Sequence, residues 1–401
     1  MTASRPALVP RLAGLGTTIF AEMSALAAAT GSVNLGQGFP DVDGPRAMAD
    51  VVAQAVRDGR GNQYPPGPGI PELRAAISRH QRDEYGLDVD PDTEVLVTAG
   101  ATEAIAAAVL ALVDDGDEVI ALEPFYDSYA ATIAMARGVA VPVRLHPPHF
   151  ALDEARLRAA VTPRTRMLLL NTPHNPTGAV LSADELAAVA RVAVERDVVV
   201  VSDEVYEHLT FDRPHVPVAT LPGMAGRTLT ISSAGKTFSF TGWKIGWVTG
   251  PADLVDAVHT TKQFLTFVSG GPLQHAVTHG LDHERRWVEA HRIELWAERE
   301  RLCAGLADLG LTVFPPSGTY FVTTDVRSLG WSDGAAFCRA LPQRAGVVAV
   351  PCASFYQDVD DEARALVRWT FGKSPTVISE ALRRLSGADL TVEAPNRVAR
   401  R

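Results

Sequence analysis

Short apolar runs alternate with amphipathic stretches through the first two thirds of the chain. Strands that alternate with helices in this way are typical of βαβ units. The pattern therefore predicts an α/β fold with a mostly parallel sheet covered by helices. The runs predict strands at 94–98, 118–122, 139–143, 166–170, 197–201 and 228–231. The stretches between them predict helices at 102–113, 127–136 and, from a capping box at 182–185, up to 195.

The pattern changes near residue 283. Residues 284–309 predict one long, charged amphipathic helix, and short strands and helices follow up to residue 385. The segment before Pro45 is rich in Gly and Pro, so it is expected to be irregular and to pack against the rest. We therefore expect three parts: a large domain at 45–283, a smaller α+β domain made of 1–44 and 284–388, and a loose tail at 389–401.

Composition narrows the class of protein. The chain has 401 residues, which suits two domains better than one, and its net charge of -10 disfavours nucleic-acid partners. The longest near-apolar run, 104–113, is too short to cross a bilayer, and residues 1–12 lack a signal-peptide pattern. Three scattered cysteines without a CxxC pair are typical of a reducing compartment. A cytoplasmic protein with neither membrane nor nucleic-acid partners is expected.

Two lysines follow one of the predicted strands. Lys236 lies among small residues directly after 228–231, and Lys244 follows one short loop later. A lysine that forms a Schiff base must be partly desolvated and lie near other cations. A second cation and a hydroxyl group nearby would suit a phosphate. Two solvated loop lysines explain these residues equally well, so this stretch alone leaves both interpretations open.

Three other stretches place polar residues at the ends of predicted strands. They are 171–178 (NTPHNPTG), 202–206 (SDEVY) and 98–103 (TAGATE). Ligands of α/β sheets bind at the carboxyl ends of strands, and small residues at a helix start expose N–H groups to an anion. An acid at the end of a buried strand, such as Asp203, requires a cation or a donor. Each stretch alone is also explained by a turn or a helix cap.

Together, and in this order, the four stretches resemble the class I/II aminotransferases, which are fold-type I pyridoxal-phosphate (PLP) enzymes. The resemblance rests on PHNPTG at 173–178, DEVY at 203–206 and SAGK…GWKIGW at 233–247, and it covers about 20–385. It is strongest to the branch with kynurenine/glutamine, methionine and actinobacterial N-succinyldiaminopimelate aminotransferases. The resemblance implies a large PLP-binding domain with a smaller domain, and amino transfer between an amino acid and a 2-oxo acid.

The resemblance assigns catalytic and ring-binding roles. Lys236 resembles the lysine that binds PLP covalently and then moves the proton. Asp203 resembles the carboxylate that keeps the pyridine nitrogen of PLP protonated. Tyr206 and Asn175 resemble the pair that hydrogen-bonds the phenolic oxygen, and Tyr126 resembles the ring stacked on the cofactor.

Other residues resemble the phosphate site. Ser233 and Lys244, with the backbone of Ala101 and Thr102, correspond to the phosphate-binding groups. Many relatives carry an arginine where Lys244 stands, and the lysine keeps the charge but lacks the bidentate fork. Tyr64 resembles the tyrosine that reaches the phosphate from the neighbouring subunit. A homodimer with shared active sites is therefore implied.

The substrate side is less well defined. Arg368 resembles the arginine that binds the substrate α-carboxylate, while Gly36, Phe20 and Asn175 resemble residues of the substrate pocket. N-succinyldiaminopimelate with 2-oxoglutarate, in lysine biosynthesis, is the first expectation. A broad methionine, glutamine or kynurenine aminotransferase and a cysteine-S-conjugate β-lyase are the alternatives. A non-enzymatic binding protein is disfavoured, because a binding module needs no Schiff-base lysine.

No metal site is expected from the sequence. His279 and His283 share one predicted helix face but lack the carboxylate of a metalloprotease pattern. The acidic run 88–92 resembles the start of a calcium loop, yet Thr93 and Ala99 stand where such a loop needs Gly and Glu.

Overall fold

The computed structural model describes residues 8–13, 16 and 18–392. This part of the chain contains fourteen α-helices and thirteen β-strands. The helices are α1 (Ile19–Thr30), α2 (Arg46–Arg57), α3 (Pro71–Tyr85), α4 (Gly100–Leu112), α5 (Asp127–Met135), α6 (Glu154–Ala160), α7 (Ala183–Arg196), α8 (Ala234–Thr237), α9 (Ala252–Lys262), α10 (Gly271–His283), α11 (Arg285–Asp308), α12 (Gly334–Ala345), α13 (Asp361–Ala365) and α14 (Pro375–Ser386). The strands are β1 (Val33–Asn34), β2 (Val95–Thr98), β3 (Glu118–Glu123), β4 (Val139–Arg144), β5 (Thr165–Asn171), β6 (Val199–Asp203), β7 (Thr228–Ser233), β8 (Gly246–Thr249), β9 (Thr312–Phe314), β10 (Phe321–Asp325), β11 (Val347–Val348), β12 (Val350–Pro351) and β13 (Leu366–Thr370).

Seven strands form the central sheet in the order β2-β8-β7-β6-β5-β3-β4. Strand β8 runs antiparallel to both of its neighbours, and the other pairs are parallel. The predicted α/β fold with a mostly parallel sheet is therefore confirmed. Because β5, β6 and β7 are parallel neighbours, their carboxyl ends meet at one edge of the sheet, where α/β proteins bind ligands.

Strand β5 shows how helices cover both faces of this sheet. Met167 and Leu169 pack into the hydrophobic cluster on the side of α4, α5 and α9, whereas Leu168 and Leu170 pack into the cluster on the side of α7. All four side chains are fully buried. Successive side chains of a strand point to opposite faces, so a strand covered on both sides must be apolar throughout.

The last third of the chain forms a second, antiparallel sheet in the order β12-β13-β10-β9. The predicted long helix is confirmed as α11. Strand β1 pairs in parallel with β11, with Val33 opposite Val347, so the N-terminal segment joins this part of the fold. One hydrophobic cluster contains both Val200 of the central sheet and Val367 of the second sheet. The domain boundaries at 45, 283 and 388 stay predictions.

Two expectations about local structure were wrong. The segment before Pro45 is not irregular throughout, since α1 occupies twelve of its residues. Gly and Pro are absent from 19–30; Thr18 caps the helix start, and Gly31 ends it in the left-handed conformation. The strand expected at 197–201 is β6, two residues later, because Asp197 is the left-handed C-cap of α7.

The predicted tail begins with ordered contacts. Leu390 is buried, and its carbonyl accepts a hydrogen bond from Trp331 Nε1 at 2.8 Å. Residues 393–401, the rest of the predicted tail, lie outside the described residues, as does 1–7 of the N-terminal segment. Within the described residues, no helix has the length and apolar character needed to cross a membrane.

Candidate active site

A cavity of about 260 Å³ opens at the carboxyl ends of β5, β6 and β7, beside the start of α4. Its wall contains eleven of the thirteen residues that the sequence singled out. They are Phe20, Ala101, Thr102, Tyr126, Asn175, Asp203, Tyr206, Ser233, Lys236, Lys244 and Arg368. Residues from 20 to 368 are thus brought together by the fold, and the two exceptions, Gly36 and Tyr64, are described below.

Asp203 is a buried acid at the floor of this cavity. It is the last residue of β6, and one carboxylate oxygen accepts a hydrogen bond from Tyr129 Oη at 2.5 Å. The other oxygen accepts from the backbone N–H of Val205 at 3.4 Å. Burial raises the pKa of Asp203 to about 6, and these donors only partly oppose it. A cationic group placed against Asp203 would therefore keep the carboxylate ionised.

Tyr129 is a functional residue that the sequence interpretation missed. It lies on α5, is 2% exposed and contacts Asp203 across the sheet edge. Burial, with the adjacent Asp203 carboxylate, raises the pKa of Tyr129 well above its ordinary value, so its phenol stays a donor. A single tyrosine in a helix gives no signal of this contact, because Asp203 lies 74 residues away in the chain.

Lys236 follows β7 within the short helix α8. Its Nζ atom donates to Tyr320 Oη at 2.7 Å, and Tyr320 in turn donates to the carbonyl of Gly38 at 2.5 Å. The Nζ atom also lies 5.5 Å from the ring centroid of Tyr206. Tyr320 is 1% exposed and was likewise missed, since it precedes β10 and lies 84 residues from Lys236. The amine is thus held by a phenol and surrounded by aromatic rings.

Several hydrogen-bond donors surround the N-terminus of α4. The Nζ atom of Lys244 would be 3.2 Å from a Cβ built on Gly100, the first residue of that helix. Lys244 itself has a left-handed backbone with φ 54°, and Ser233 ends β7 close by. Burial and the charge of Lys236 lower the pKa of Lys244. Helix N–H groups, a hydroxyl and an ammonium group are donors that together suit a phosphate.

Arg368 forms the opposite wall from β13. Its Nη1 donates to Asn175 Oδ1 at 2.9 Å, and its Nη2 donates to the carbonyl of Gly36 at 2.9 Å. Gly36 therefore positions this arginine rather than lining the cavity. The guanidinium lies 3.9 Å from the ring centroid of Phe321 and 5.0 Å from that of Phe20.

The charge of Arg368 is poorly neutralised inside the protein. The side chain is 1% exposed, and burial lowers the pKa of Arg368 to about 10, which still leaves a cation at neutral pH. Its Nε atom has no hydrogen-bond partner among the described residues. Aromatic faces and a carbonyl surround it instead of a carboxylate, so the guanidinium can accept an external carboxylate.

The two remaining phenols line the cavity between these groups. Tyr206 is 3% exposed and meets the ring of Tyr320 edge-on at 5.4 Å. Tyr126 immediately precedes α5 and meets Tyr129 edge-on at 5.9 Å. Burial raises the pKa of both Tyr206 and Tyr126, so each remains a neutral hydroxyl that can donate a hydrogen bond.

Tyr64 is not part of this cavity within the single chain. Its side chain is 81% exposed, and its ring packs edge-on against Phe267 at 5.4 Å. The expectation that it serves a neighbouring subunit stays a prediction.

The family model of "Aminotransferase class I and II" matches residues 30–385. The chain belongs to this family. It is 54% identical over 388 residues to a "Probable N-succinyldiaminopimelate aminotransferase DapC" from Mycobacterium tuberculosis, covering 94% of this chain and 98% of the relative. It is 40% identical over 381 residues to the methionine aminotransferase of Escherichia coli, covering 94% and 98%.

Solved structures agree with the sequence relatives. The structure of the Mycobacterium tuberculosis N-succinyldiaminopimelate aminotransferase superposes with a TM-score of 0.93 at 55% identity, over 95% of this chain and 100% of that one. The aspartate aminotransferase of Thermus thermophilus with maleate superposes with a TM-score of 0.89 at 34% identity, over 96% and 100%. The predicted family, the fold class and the activity of an aminotransferase are confirmed.

Proposed function

We propose that this aminotransferase uses PLP, bound in the cavity at the strand ends. The observation that carries the proposal is the fit of one cavity to the separate parts of that cofactor. A buried acid, Asp203, suits a protonated ring nitrogen, and the N-terminus of α4 with Lys244 suits a phosphate. Lys236 supplies an amine between these two sites.

Several side chains of the cavity wall would hold the ring and the phosphate of the cofactor. Tyr206 and Asn175 would hydrogen-bond the ring oxygen, and Tyr126 would cover the ring. Ser233 and Lys244, with the N–H groups at Ala101 and Thr102, would hold the phosphate. When bound, PLP supplies an electron sink for the bond that breaks at the substrate Cα.

The chain's own residues supply orientation and proton transfer. Arg368 binds the α-carboxylate of the substrate, which fixes the Cα atom relative to Lys236. The Nζ atom of Lys236 would take the proton from Cα and hold it for the return transfer. Tyr129 donates a hydrogen bond to Asp203 and so fixes the orientation of the carboxylate that would hold the ring nitrogen. The second half of the reaction runs through the same groups in reverse.

A homodimer with shared sites is part of the proposal. The ring of Tyr64 packs against exposed Phe267, and Phe264 and Leu265 in the same stretch of chain as Phe267 are also exposed, Phe264 at 82%. The loop that carries Tyr64 is held in place, since a Cβ on Gly61 would lie 2.6 Å from the backbone of Gly271. Exposed apolar patches of this kind mark contact surfaces.

For the substrate, we propose N-succinyldiaminopimelate as amino donor and 2-oxoglutarate as acceptor, in lysine biosynthesis in the cytoplasm. The support is the 54% identity to a relative described as a probable N-succinyldiaminopimelate aminotransferase. The second candidate is a methionine aminotransferase, supported by the relative at 40% identity. Among the described residues of the cavity wall, Arg368 is the only arginine. It would bind the α-carboxylate, and the apolar side chain of methionine needs no second arginine.

Half-reactions test both the reaction and the substrate that we propose. The PLP-loaded protein, mixed with one amino donor and no oxo acid, should lose its visible absorption, and 2-oxoglutarate should restore it. N-succinyldiaminopimelate should give a kcat/KM at least tenfold above methionine, glutamine and kynurenine. A higher value for methionine would reject the substrate, and an absorption that no donor bleaches would reject the reaction. Pyruvate released from a β-substituted cysteine would reveal the lyase alternative.

A further inference from the structure

A second cavity, of about 820 Å³, is lined by residues other than those of the candidate active site. Helices α3 and α10, the start of α11 and the segment that follows β6 form its walls. Three of the chain's eleven histidines, His80, His208 and His215, lie on this wall together with Glu207. Neither the proposed cofactor nor its substrate uses these groups.

His80, Glu207 and His208 form a compact donor cluster. One ligand atom from each lies within 4.8 Å of the other two. His80 Nε2 is 3.3 Å from a carboxylate oxygen of Glu207, and the His80 and His208 ring centroids are 5.1 Å apart. The side chains of His80 and Glu207 are only 7% and 2% exposed. The cluster combines α3 with a segment 127 residues further along the chain.

The hydrogen bonds of the cluster leave one imidazole available to a metal ion. Glu207 accepts a hydrogen bond from Ser232 at one carboxylate oxygen and faces His80 Nε2 with the other. The ring of His208 makes no hydrogen bond to any described residue, so its nitrogen atoms are available as ligands.

We propose that His80, Glu207 and His208 bind a divalent transition-metal ion, with Zn²⁺ as the best match. Two imidazoles and one carboxylate, with a fourth position for water, form a common donor set for zinc. Metal–ligand bonds of about 2.0–2.2 Å place the donor atoms of a tetrahedral site roughly 3.5 Å apart. Side-chain rotations that move these donor atoms by about 1 Å would therefore complete the site. The adjacent cavity has room for the water and for entry of the ion.

The ion would connect this cavity to the active site. Glu207 follows Tyr206 directly and also accepts hydrogen bonds from Tyr85, at 2.5 Å, and from Ser232. A bound ion would therefore join α3 to the segment that carries Asp203 and Tyr206. Such a site departs from the expectation, drawn from the sequence, that the protein holds no metal.

Metal content of the full-length, PLP-loaded protein tests the site. After treatment with a chelator and equilibrium dialysis against Zn²⁺, we expect one tightly bound equivalent per chain. His208→Gln and His80→Gln should each weaken that binding at least tenfold. Co²⁺ in place of Zn²⁺ should give a visible absorption band of a nitrogen-coordinated, four-coordinate ion, which both variants lose.

His279→Gln is the matched control, because half-buried His279 and exposed His283 form a second histidine pair on α10 with ring centroids 4.8 Å apart. This variant should retain the tight equivalent. His208 makes no hydrogen bond that folding depends on, so His208→Gln decides the matter if His80→Gln proves unstable. Wild-type protein that retains no zinc, or a His208→Gln protein that binds zinc as wild type does, would overturn the site.

Discussion

At the scale of single residues, burial sets the chemistry of Asp203. The carboxylate is 5% exposed, and this burial raises its pKa to about 6 from 3.8, although a phenol and a backbone N–H donate hydrogen bonds to it. Arg368 shows the opposite case, a cation buried among aromatic rings. Under the proposed function, PLP and the carboxylate of the substrate would supply the partners of opposite sign for Asp203 and Arg368.

Asp203→Asn should change how the stability of the cofactor-free protein depends on pH. A carboxyl group whose pKa is raised on folding favours the folded state at low pH, and that contribution is lost as pH rises towards 6. Between pH 4.5 and 7, the unfolding free energy of the wild type should therefore fall by about 2 kcal/mol relative to that of Asp203→Asn. Denaturant titrations at several pH values measure this shift.

Loading with PLP provides the control for the same comparison. If PLP binds as proposed, its protonated ring nitrogen would give Asp203 a cationic partner, so the stability of the wild type relative to Asp203→Asn should no longer fall between pH 4.5 and 7. A difference between the two proteins that stays flat with pH in the cofactor-free state would mean that Asp203 is ionised there throughout.

Tyr320→Phe should impair the positioning of Lys236. The variant keeps the ring but removes the acceptor at 2.7 Å from Nζ. Loss of a hydrogen bond to a charged group costs about 1.5–3 kcal/mol, so kcat should fall roughly 10- to 100-fold while KM changes little. The pH profile of kcat should also shift, which a purely structural defect would not cause.

Tyr356→Phe is the matched control for Tyr320→Phe, because the buried hydroxyl of Tyr356 has no hydrogen-bond partner among the described residues. It should leave kcat and its pH profile close to wild type. If Tyr320→Phe behaves like this control, Lys236 is positioned by other groups.

The limits of sequence reasoning at this scale follow from contact distance along the chain. Lys236, Asp203 and Asn175 stand in contiguous stretches whose residue types indicate their chemistry. Tyr129 and Tyr320 act only through contacts 74 and 84 residues away, and nothing in their own neighbourhoods marks them. The His80–Glu207 contact spans 127 residues, so the sequence around either residue does not indicate it.

At the scale of elements, the site depends on how β8 meets α4. Strand β8 lies antiparallel beside β2, with Gly246 opposite Thr98, just before α4 begins. A Cβ on Gly246 would be 2.7 Å from the backbone carbon of Gly100 and 2.8 Å from the nitrogen of Ala101. Close backbone contact thus places Lys244, two residues earlier, against the N-terminus of α4.

Gly246→Ala should move the start of α4 and weaken the phosphate site. The atoms in its way belong to the backbone, so the overpacking should cost about 1–3 kcal/mol of stability. PLP should bind at least tenfold more weakly, as measured by fluorescence titration of the stripped protein. Gly242→Ala is the control, because a Cβ there meets nothing within 4 Å. Equal PLP affinity in the two variants would contradict the importance of this contact.

Apolar periodicity identified most elements of the central sheet, since strands covered on both faces must be continuously apolar. It placed β6 two residues too early because Val198 belongs to the same apolar run although the strand begins only at Val199. Helix α1 was missed because the Gly and Pro residues on either side of it dominate the composition of the segment. Strand β1, which follows α1, pairs with β11 more than 300 residues away, so the role of the segment was not visible locally.

At the scale of the whole molecule, the single chain leaves its candidate site short of one predicted group. Tyr64 is 81% exposed and packs against Phe267, outside the cavity that holds the other groups. A ring this exposed contributes little to the stability of its own chain. Its resemblance to a residue that serves the neighbouring subunit therefore predicts that activity requires a dimer.

Hybrid dimers test this arrangement. Tyr64→Ala and Lys236→Ala subunits should each have little activity alone, since one lacks the phosphate contact and the other the amine. After subunit exchange, each hybrid contains one site with an intact Lys236 and an intact Tyr64 from its partner. An equal mixture should thus regain about a quarter of the wild-type activity.

The complementary control mixes wild type with a chain that carries both substitutions. If Tyr64 acts across the interface, the hybrids of this mixture contain no intact site. If Tyr64 acts within its own chain, each hybrid contains one intact site. Recovery in the first mixture, with no hybrid activity in the second, would establish the shared site; the reverse result would assign Tyr64 to its own subunit.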